Sequence, residues 1–386
     1  MREVAVLGIG QVKIGEHWDK SLRELAGDAV LSAVKDAGLD QVDALFVGNM
    51  MSASANHQQQ LGAYIADWVG LRYAEAFKLE SACSSGASAF RSALLAVSSG
   101  VIDTAVAVGV EKMTDSPGAE ITAELATAAD SDWEVAQGIS FVALNALIMR
   151  RYMMEYGWEK KHFAPFSINA HANGVHNPNA RFRKPITEKQ YLEAGMVSDP
   201  INLMDASPIG DGAAAIVLVP ADRLHKITGN PMIKVIGSAA ATDSIAVHDR
   251  KDPLWLKAAA ISSQKAYQQA GLSPKDIDFF ELHDAFSIMA ALSLEASGFA
   301  ERGKGPQLGL DGQIHPAGKI PIATLGGLKA RGHPVGATGM YQLVEVVTQL
   351  RHAAKGSQVE NATIGMAQNI GGSGSNIITH ILERVN

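Results

Sequence analysis

The chain repeats itself, and that repeat limits the possible folds more than any other property of the sequence. Ala37-Gly38-Leu39 leads into Val42-Asp43-Ala44-Leu45-Phe46, and Ala270-Gly271-Leu272 leads into Ile277-Asp278-Phe279-Phe280. Cys83-Ser84-Ser85-Gly86-Ala87-Ser88 precedes one helical pattern, and His333-Pro334-Val335-Gly336-Ala337-Thr338 precedes another. The glycine and alanine fall at the same offsets from Cys83 and from His333. Gly212 opens one strand-like apolar run and Gly374 a similar one. Three matches in the same order describe an internal duplication, with halves at residues 1–225 and 226–386. The first half is longer because of an insertion at about 113–205 that carries Tyr152, Tyr156, Trp158, Phe163 and Phe166 and reads as a mostly helical loop domain. A fold built twice has a pseudo-twofold axis, and such an axis brings the segments at Cys83 and His333 together.

Locally, short Val/Ile/Ala/Leu runs alternate with helical spacings, the pattern of an α/β protein whose sheet is covered on both faces. Val4 to Gly8 reads as a first strand. Leu25, Ala29, Val30, Ala33, Val34 and Ala37 recur at helical spacing, with Gly38 as the stop. Strands are expected at 43–48, 103–109 and 213–219, and a helix at 86–98 ending near Gly100.

At 47% hydrophobic and 19% charged, the chain has ample material for a core and is far from a disordered composition. Its net charge of -7, without any block of like charges, argues against a nucleic-acid partner. The single cysteine, Cys83, excludes an intrachain disulfide and any cysteine-rich metal centre. No signal-peptide pattern opens the sequence and no uncharged apolar run reaches the roughly 18 residues of a membrane span, so a cytoplasmic protein with no membrane association is expected.

Cys83 falls between a strand end and a helix start, followed by small residues. Free amides and the helix dipole favour a thiolate there, which predicts a pKa below the roughly 8.5 of free cysteine. A lone cysteine is as often a buried structural one; its equivalence to His333 turns the reading toward an activated nucleophile pair. His283 follows the strand-like 277–280 run, at the end of a strand where open α/β folds place ligands, with Asp284 as a helix N-cap. Asn369-Ile370-Gly371-Gly372-Ser373-Gly374-Ser375 is a glycine-rich turn able to offer amides to an oxyanion, and equally a plain strand connection; it lacks the endings of phosphate-binding loops. His162, His171 and His176 lack an acidic or cysteine ligand at useful spacing, so no metal site is expected there. Arg181, Arg183, Lys184 and Lys189 form a basic stretch that is either a solvated face or, in an enzyme of coenzyme A, a contact for nucleotide phosphates.

Taken together, Ser81-Ala82-Cys83-Ser84-Ser85-Gly86, His283-Asp284-Ala285-Phe286, Gly332-His333-Pro334-Val335-Gly336-Ala337-Thr338-Gly339 and Asn369-Ile370-Gly371-Gly372 resemble the thiolase superfamily, nearly end to end and in family order. The His-Asp-Ala-Phe block looks like the sterol-carrier-protein type and its archaeal and bacterial relatives. The resemblance implies a five-layered α-β-α-β-α fold, a homodimer or homotetramer, coenzyme A thioesters as substrates and no permanently bound cofactor. It also implies a possible small partner protein with an OB-fold and zinc ribbon. By the same resemblance Cys83 carries the acyl group, His333 activates it, His283 stands beside an oxyanion site, and the amides of Gly371 and Cys83 form a second oxyanion hole. One departure stands out. Familiar thiolases have a second cysteine, the general acid/base, where this chain has Asn369, and sterol-carrier-type relatives restore it where this chain has Ala285. His283 is then the candidate acid/base. A thiolase is the reading; a decarboxylating ketoacyl synthase and a non-catalytic acyl-CoA-binding subunit are the alternatives.

Overall fold

The computed structural model describes residues 2–226 and 231–385. In the first half, β1 (Val4–Gln11), α1 (Leu22–Ala37), β2 (Ala44–Gly48), α2 (Leu61–Trp68), β3 (Glu75–Leu79), α3 (Ser85–Ser99) and β4 (Ala105–Glu111) follow one another. Then come α4 (Gly118–Ala126), α5 (Phe141–Tyr156), α6 (Ala164–Gly174), α7 (Glu188–Leu192) and a small ribbon of β5 (Met196–Ser198) and β6 (Ile201–Asn202), before β7 (Gly212–Pro220) returns to the sheet. The second half comprises β8 (Met232–Thr242), α8 (Lys257–Ala270), β9 (Phe279–Glu281), α9 (Ser287–Ala296), α10 (Gly305–Leu310), α11 (Thr338–Leu350), β10 (Ile364–Gly371) and β11 (Asn376–Val385). The division expected at 225/226 falls at the end of a short 3-10 turn, Ala221–Lys226.

Local chemistry accounts for the element ends. Ser21 caps α1 in a capping box with Glu24, and Gly38 closes it in the left-handed region. Gly100 closes α3 in the same way.

The duplication is written into the strand order β3-β2-β4-β7-β1-β8-β11-β10-β9. Outward from β1, strands β7, β4, β2 and β3 are antiparallel, antiparallel, parallel and parallel to their inner neighbours. Outward from β8, strands β11, β10 and β9 repeat antiparallel, antiparallel, parallel, and a parallel bridge from Phe280 to Ile322 stands where β3 would. Among the described residues, the two halves of the sheet pair through Ala5–Lys234 and Val6–Ile233.

Side-chain alternation along the strands builds the layers. Ala5, Leu7, Leu45, Val47, Val106 and Val108 pack outward against α1 and α2. Val4, Val6, Phe46, Ala105, Ile216 and Leu218 face inward onto α3 and α11, which are covered on the other side by Ile233, Phe279, Ala367 and Leu382 of the second half. Ala239, Phe280, Met366, Ile377 and Ile381 meet α8, α9 and the insertion beyond. The order is therefore helix, sheet, helix, sheet, helix, as the sequence reading expects. The N-termini of α3 and α11 touch in the middle layer. A Cβ on Gly86 would lie 2.8 Å from the Gly336 carbonyl, and one on Gly339 2.6 Å from the Ala87 amide, so glycine at both positions is what lets the two helix starts meet.

Candidate active site

Each of the two central helices carries one reactive residue just before its first turn. The chain reaches Cys83 through Ala82, a non-glycine residue at φ 51°, and a knot of serines fixes this bend. Ser84 Oγ donates to the Ser81 carbonyl at 2.6 Å, Ser85 Oγ donates to the Ala82 carbonyl at 2.6 Å, and the Ser81 amide donates to Ser85 Oγ at 3.0 Å. Cys83 is buried. Opposite it, the His333 amide donates to the Pro208 carbonyl at 3.1 Å, and the imidazole Nδ1 lies 2.6 Å from Thr338 Oγ1. The Thr338 hydroxyl itself donates to the Pro334 carbonyl at 3.1 Å. Its oxygen therefore accepts from His333 Nδ1–H, which leaves Nε2 as a lone pair.

His283 follows β9. Its ring stands edge-on to that of His333, with centroids 5.2 Å apart, and its Nδ1 is 2.9 Å from the side-chain amide nitrogen of Asn369 on β10. One ligand-type atom from each of Cys83, His283 and His333 lies within 4.8 Å of the others. The trio faces a cavity of about 270 Å³ whose walls include Leu125, Phe141, Phe286, Met289 and Ile370. The structure thus brings together all three side chains named from the sequence.

Burial sets the protonation states. Cys83 is pushed up to about 12, first by loss of solvent and then by the negative charge of Glu111. This reverses the expectation of a depressed thiol pKa: the helix start is present, but desolvation outweighs it. His333 is pushed down to about 3 by burial, with the Arg331 charge adding to the effect. His283 is held well below its ordinary value by burial, then by His333 and Arg331. The resting site therefore holds a neutral thiol and two neutral imidazoles.

The backbone amides that reach the Cys83 sulfur are its own and that of Gly372. Gly371, the glycine expected to serve the oxyanion, packs with its Cα against Ser81 and Ser84, where a Cβ would lie 2.4 Å from the Ser81 carbonyl. Asp284 is not an N-cap, since α9 begins at Ser287 after Phe286. Its carboxylate turns inward and accepts from the Leu328 amide at 2.7 Å, bracing the loop that leads to His333.

Sequence reasoning missed the charged supports of the site. Glu111, at the end of β4, accepts from Asn49 Nδ2 at 2.8 Å, from the Met50 and Met51 amides at 3.0 Å and from the Gly336 amide at 2.8 Å, so one buried carboxylate ties the two halves together beside Cys83. Arg331 and Glu345 form a fully buried pair at 2.5 Å. An acid ending a fully apolar strand, as Glu111 does, was the available signal.

Of the other candidates, His162 Nδ1 accepts from the Glu159 amide at 3.0 Å, and His171 stacks on Phe182. Arg181, Arg183 and Lys184 line a second cavity of about 660 Å³ together with Lys329; it shares Ala206 and Ser207 with the first. Lys189 lies away from both, largely exposed. Among the described residues no helix is long and apolar enough to cross a membrane.

A thiol and two imidazoles converging at paired helix starts, on a duplicated five-layered fold, define the class: an acyl-transfer enzyme working through cysteine. Comparison with known proteins makes the class specific. Residues 4–222 match the family described as thiolase, N-terminal domain, and residues 239–384 match thiolase C-terminal domain-like. An acetyl-CoA acetyltransferase of Methanothermobacter thermautotrophicus is 45% identical over the full length of both chains. Sterol carrier protein 2 of Bos taurus is 29% identical over 97% of this chain and 71% of its own length. Among solved structures, the Ltp2-ChsH2(DUF35) aldolase superposes with a TM-score of 0.87 at 24% identity, covering 99% of this chain and 98% of its own. The chain belongs to the thiolase family, and it is an acyltransferase of the thiolase kind.

Proposed function

We propose that this enzyme catalyses reversible Claisen condensation and thiolysis of acetoacetyl-CoA or another 3-ketoacyl-CoA through an acyl group carried on Cys83. The observation that carries the reading is the convergence of Cys83, His333 and His283 within 4.8 Å on an apolar cavity. In the forward half-reaction His333 Nε2 takes the Cys83 proton as the sulfur attacks the thioester carbonyl, and then returns it to the departing CoA thiolate. The amides of Cys83 and Gly372 donate to the developing oxyanion. In the second half-reaction His283 serves the incoming acetyl-CoA. Asn369 meets His283 Nδ1 with its amide nitrogen, which leaves a proton on Nε2 to hold the thioester oxygen. With its oxygen turned there instead, Nε2 becomes a base, and one amide thus serves either tautomer.

The 45% identity, over the full length, to an acetyl-CoA acetyltransferase supports acetyl-CoA as the donor. The intact trio speaks against a non-catalytic subunit, and no relative described above favours a decarboxylating synthase. For the assembly we propose a homodimer or homotetramer. Strand β3 ends the sheet, and Trp68, Tyr73 and Phe77 stand exposed on or beside it, as an edge awaiting a second copy would. A small OB-fold, zinc-ribbon partner is proposed as well, supported by the DUF35 component of the aldolase complex. The test of function is CoA-dependent cleavage across 3-ketoacyl-CoA chain lengths. Absence of cleavage at every length, with no acylation of Cys83, would overturn the reading.

A further inference from the structure

We propose that Cys83, His283 and His333 also form a three-ligand site for Zn²⁺, and that zinc occupancy reversibly shuts the enzyme down. The three ligand atoms lie within 4.8 Å of one another, and all three residues are buried. A tetrahedral zinc with bonds of about 2.0 to 2.3 Å needs its ligand atoms roughly 3.5 Å apart, so the three must close in by about 1 Å on binding. The remote nitrogens are already held, His333 Nδ1 by Thr338 and His283 Nδ1 by Asn369, at 2.6 and 2.9 Å. That leaves His333 Nε2 as a free donor at once, and His283 Nε2 once the Asn369 amide presents its oxygen to Nδ1. Zinc sites use the same arrangement to fix ligating imidazoles. Two histidines and one thiolate match the ligand softness of zinc, and the fourth position opens on the cavity.

On binding, the Cys83 S–H bond breaks, the sulfur's electron pair goes to the metal, and the proton leaves to solvent. No redox change is involved. If Asn369 faces His283 with its nitrogen, His283 keeps its Nε2 lone pair only after the amide turns over, so Asn369 also gates the site. Zinc and an acyl group claim the same sulfur, and each excludes the other.

The test uses the full-length protein, freed of metal by chelation, in thiol-free buffer, with Co²⁺ as a spectroscopic probe and no turnover required. One Co²⁺ per chain is expected to give a sulfur-to-cobalt band in the near ultraviolet and the intense visible bands of a tetrahedral ion. Zn²⁺ should bleach both. Cys83→Ser should lose the near-ultraviolet band, and His283→Gln should weaken affinity at least about 10-fold. Acylating Cys83 beforehand should block binding. A weak octahedral spectrum, or a spectrum unchanged in Cys83→Ser, would overturn the proposal. The acyl-transfer reading would survive that result, because it is measured by acylation and cleavage alone.

Discussion

His333 Nδ1 lies 2.6 Å from Thr338 Oγ1, and this contact decides which ring nitrogen is free to act. Thr338 is the first residue of α11, so the start of a central helix holds the tautomer of the base. Thr338→Val keeps the shape and removes the acceptor. Acylation of Cys83 is expected to slow by about 10- to 100-fold, the usual cost of losing such a support, while Thr338→Ser restores it. Single-turnover labelling with acyl-CoA measures this directly. Equal rates for valine and threonine would show that the contact is only structural.

A neutral thiol changes what alkylation should look like. With Cys83 near 12, the thiolate fraction at neutral pH is on the order of 10³-fold below that of a free cysteine. Iodoacetamide should therefore react slowly at pH 7, and the rate should go on climbing through pH 10 instead of levelling off near 9. Acyl-CoA should still acylate at pH 7, because His333 removes the proton during attack. Cys83→Ala abolishes both reactions. Rapid alkylation at pH 7 would point to a preformed thiolate.

The two histidines should separate by step. His333→Ala slows acylation itself. His283→Asn leaves labelling of Cys83 intact and lowers condensation and thiolysis by at least about 10²-fold, the scale of positioned acid–base catalysis. If His283→Asn blocks labelling as fully as His333→Ala does, this division of labour fails.

Acid should unfold the protein through its buried imidazoles. His333 and His380 are each pushed down to about 3, burial being the main cause in both, and His283 is also well below its ordinary value. A folded pKa below the unfolded one of about 6.5 stabilises above that pH, and the contribution is lost as pH falls toward 3. Each such histidine costs roughly 1.4 kcal/mol per pH unit over that window. His380 packs edge-on to Phe90 of α3 and is not among the three residues that meet at the sulfur. His380→Leu should flatten the fall of urea stability between pH 6 and 4 and leave acylation unchanged. An unaltered slope would assign the acid sensitivity elsewhere.

Gly339→Ala should damage stability and site together. The added methyl would lie 2.3 Å from Asn369 Oδ1 and 2.6 Å from the Ala87 amide. A cost of about 1–3 kcal/mol is expected from overpacking, read as a lower urea midpoint, along with slower condensation because Asn369 is displaced from His283. A variant as stable as the parent would mean that the helix starts part easily.

Much of this was legible in the chain. The repeated Ala-Gly-Leu and Gly-Ala offsets foretell the repeated strand order, and Gly38 and Gly100 mark their helix ends closely. Cys83 and His283 stand out because each follows a strand-like run, and His333 because of its glycine-rich setting and its equivalence to Cys83. The signals lost were those that depend on a distant segment. Gly371 and Gly372 are equivalent by spacing, and only the folded chain brings the Gly372 amide to the Cys83 sulfur. Asp284 reads as a cap until the loop at Leu328 supplies it with a donor.

Sequence alone thus determined which residues meet, because a duplicated pattern of strands, turns and helix starts carries its own symmetry. Tertiary structure decided what those residues are chemically. The thiol of Cys83 and the imidazoles of His283 and His333 are neutral because segments from both halves exclude water around them, and the charges of Glu111 and Arg331 add to the effect. Periodicity and turn chemistry act over a few neighbouring residues and can be read along a line. Desolvation and charge act through space, and their balance exists only once the chain has closed around the site.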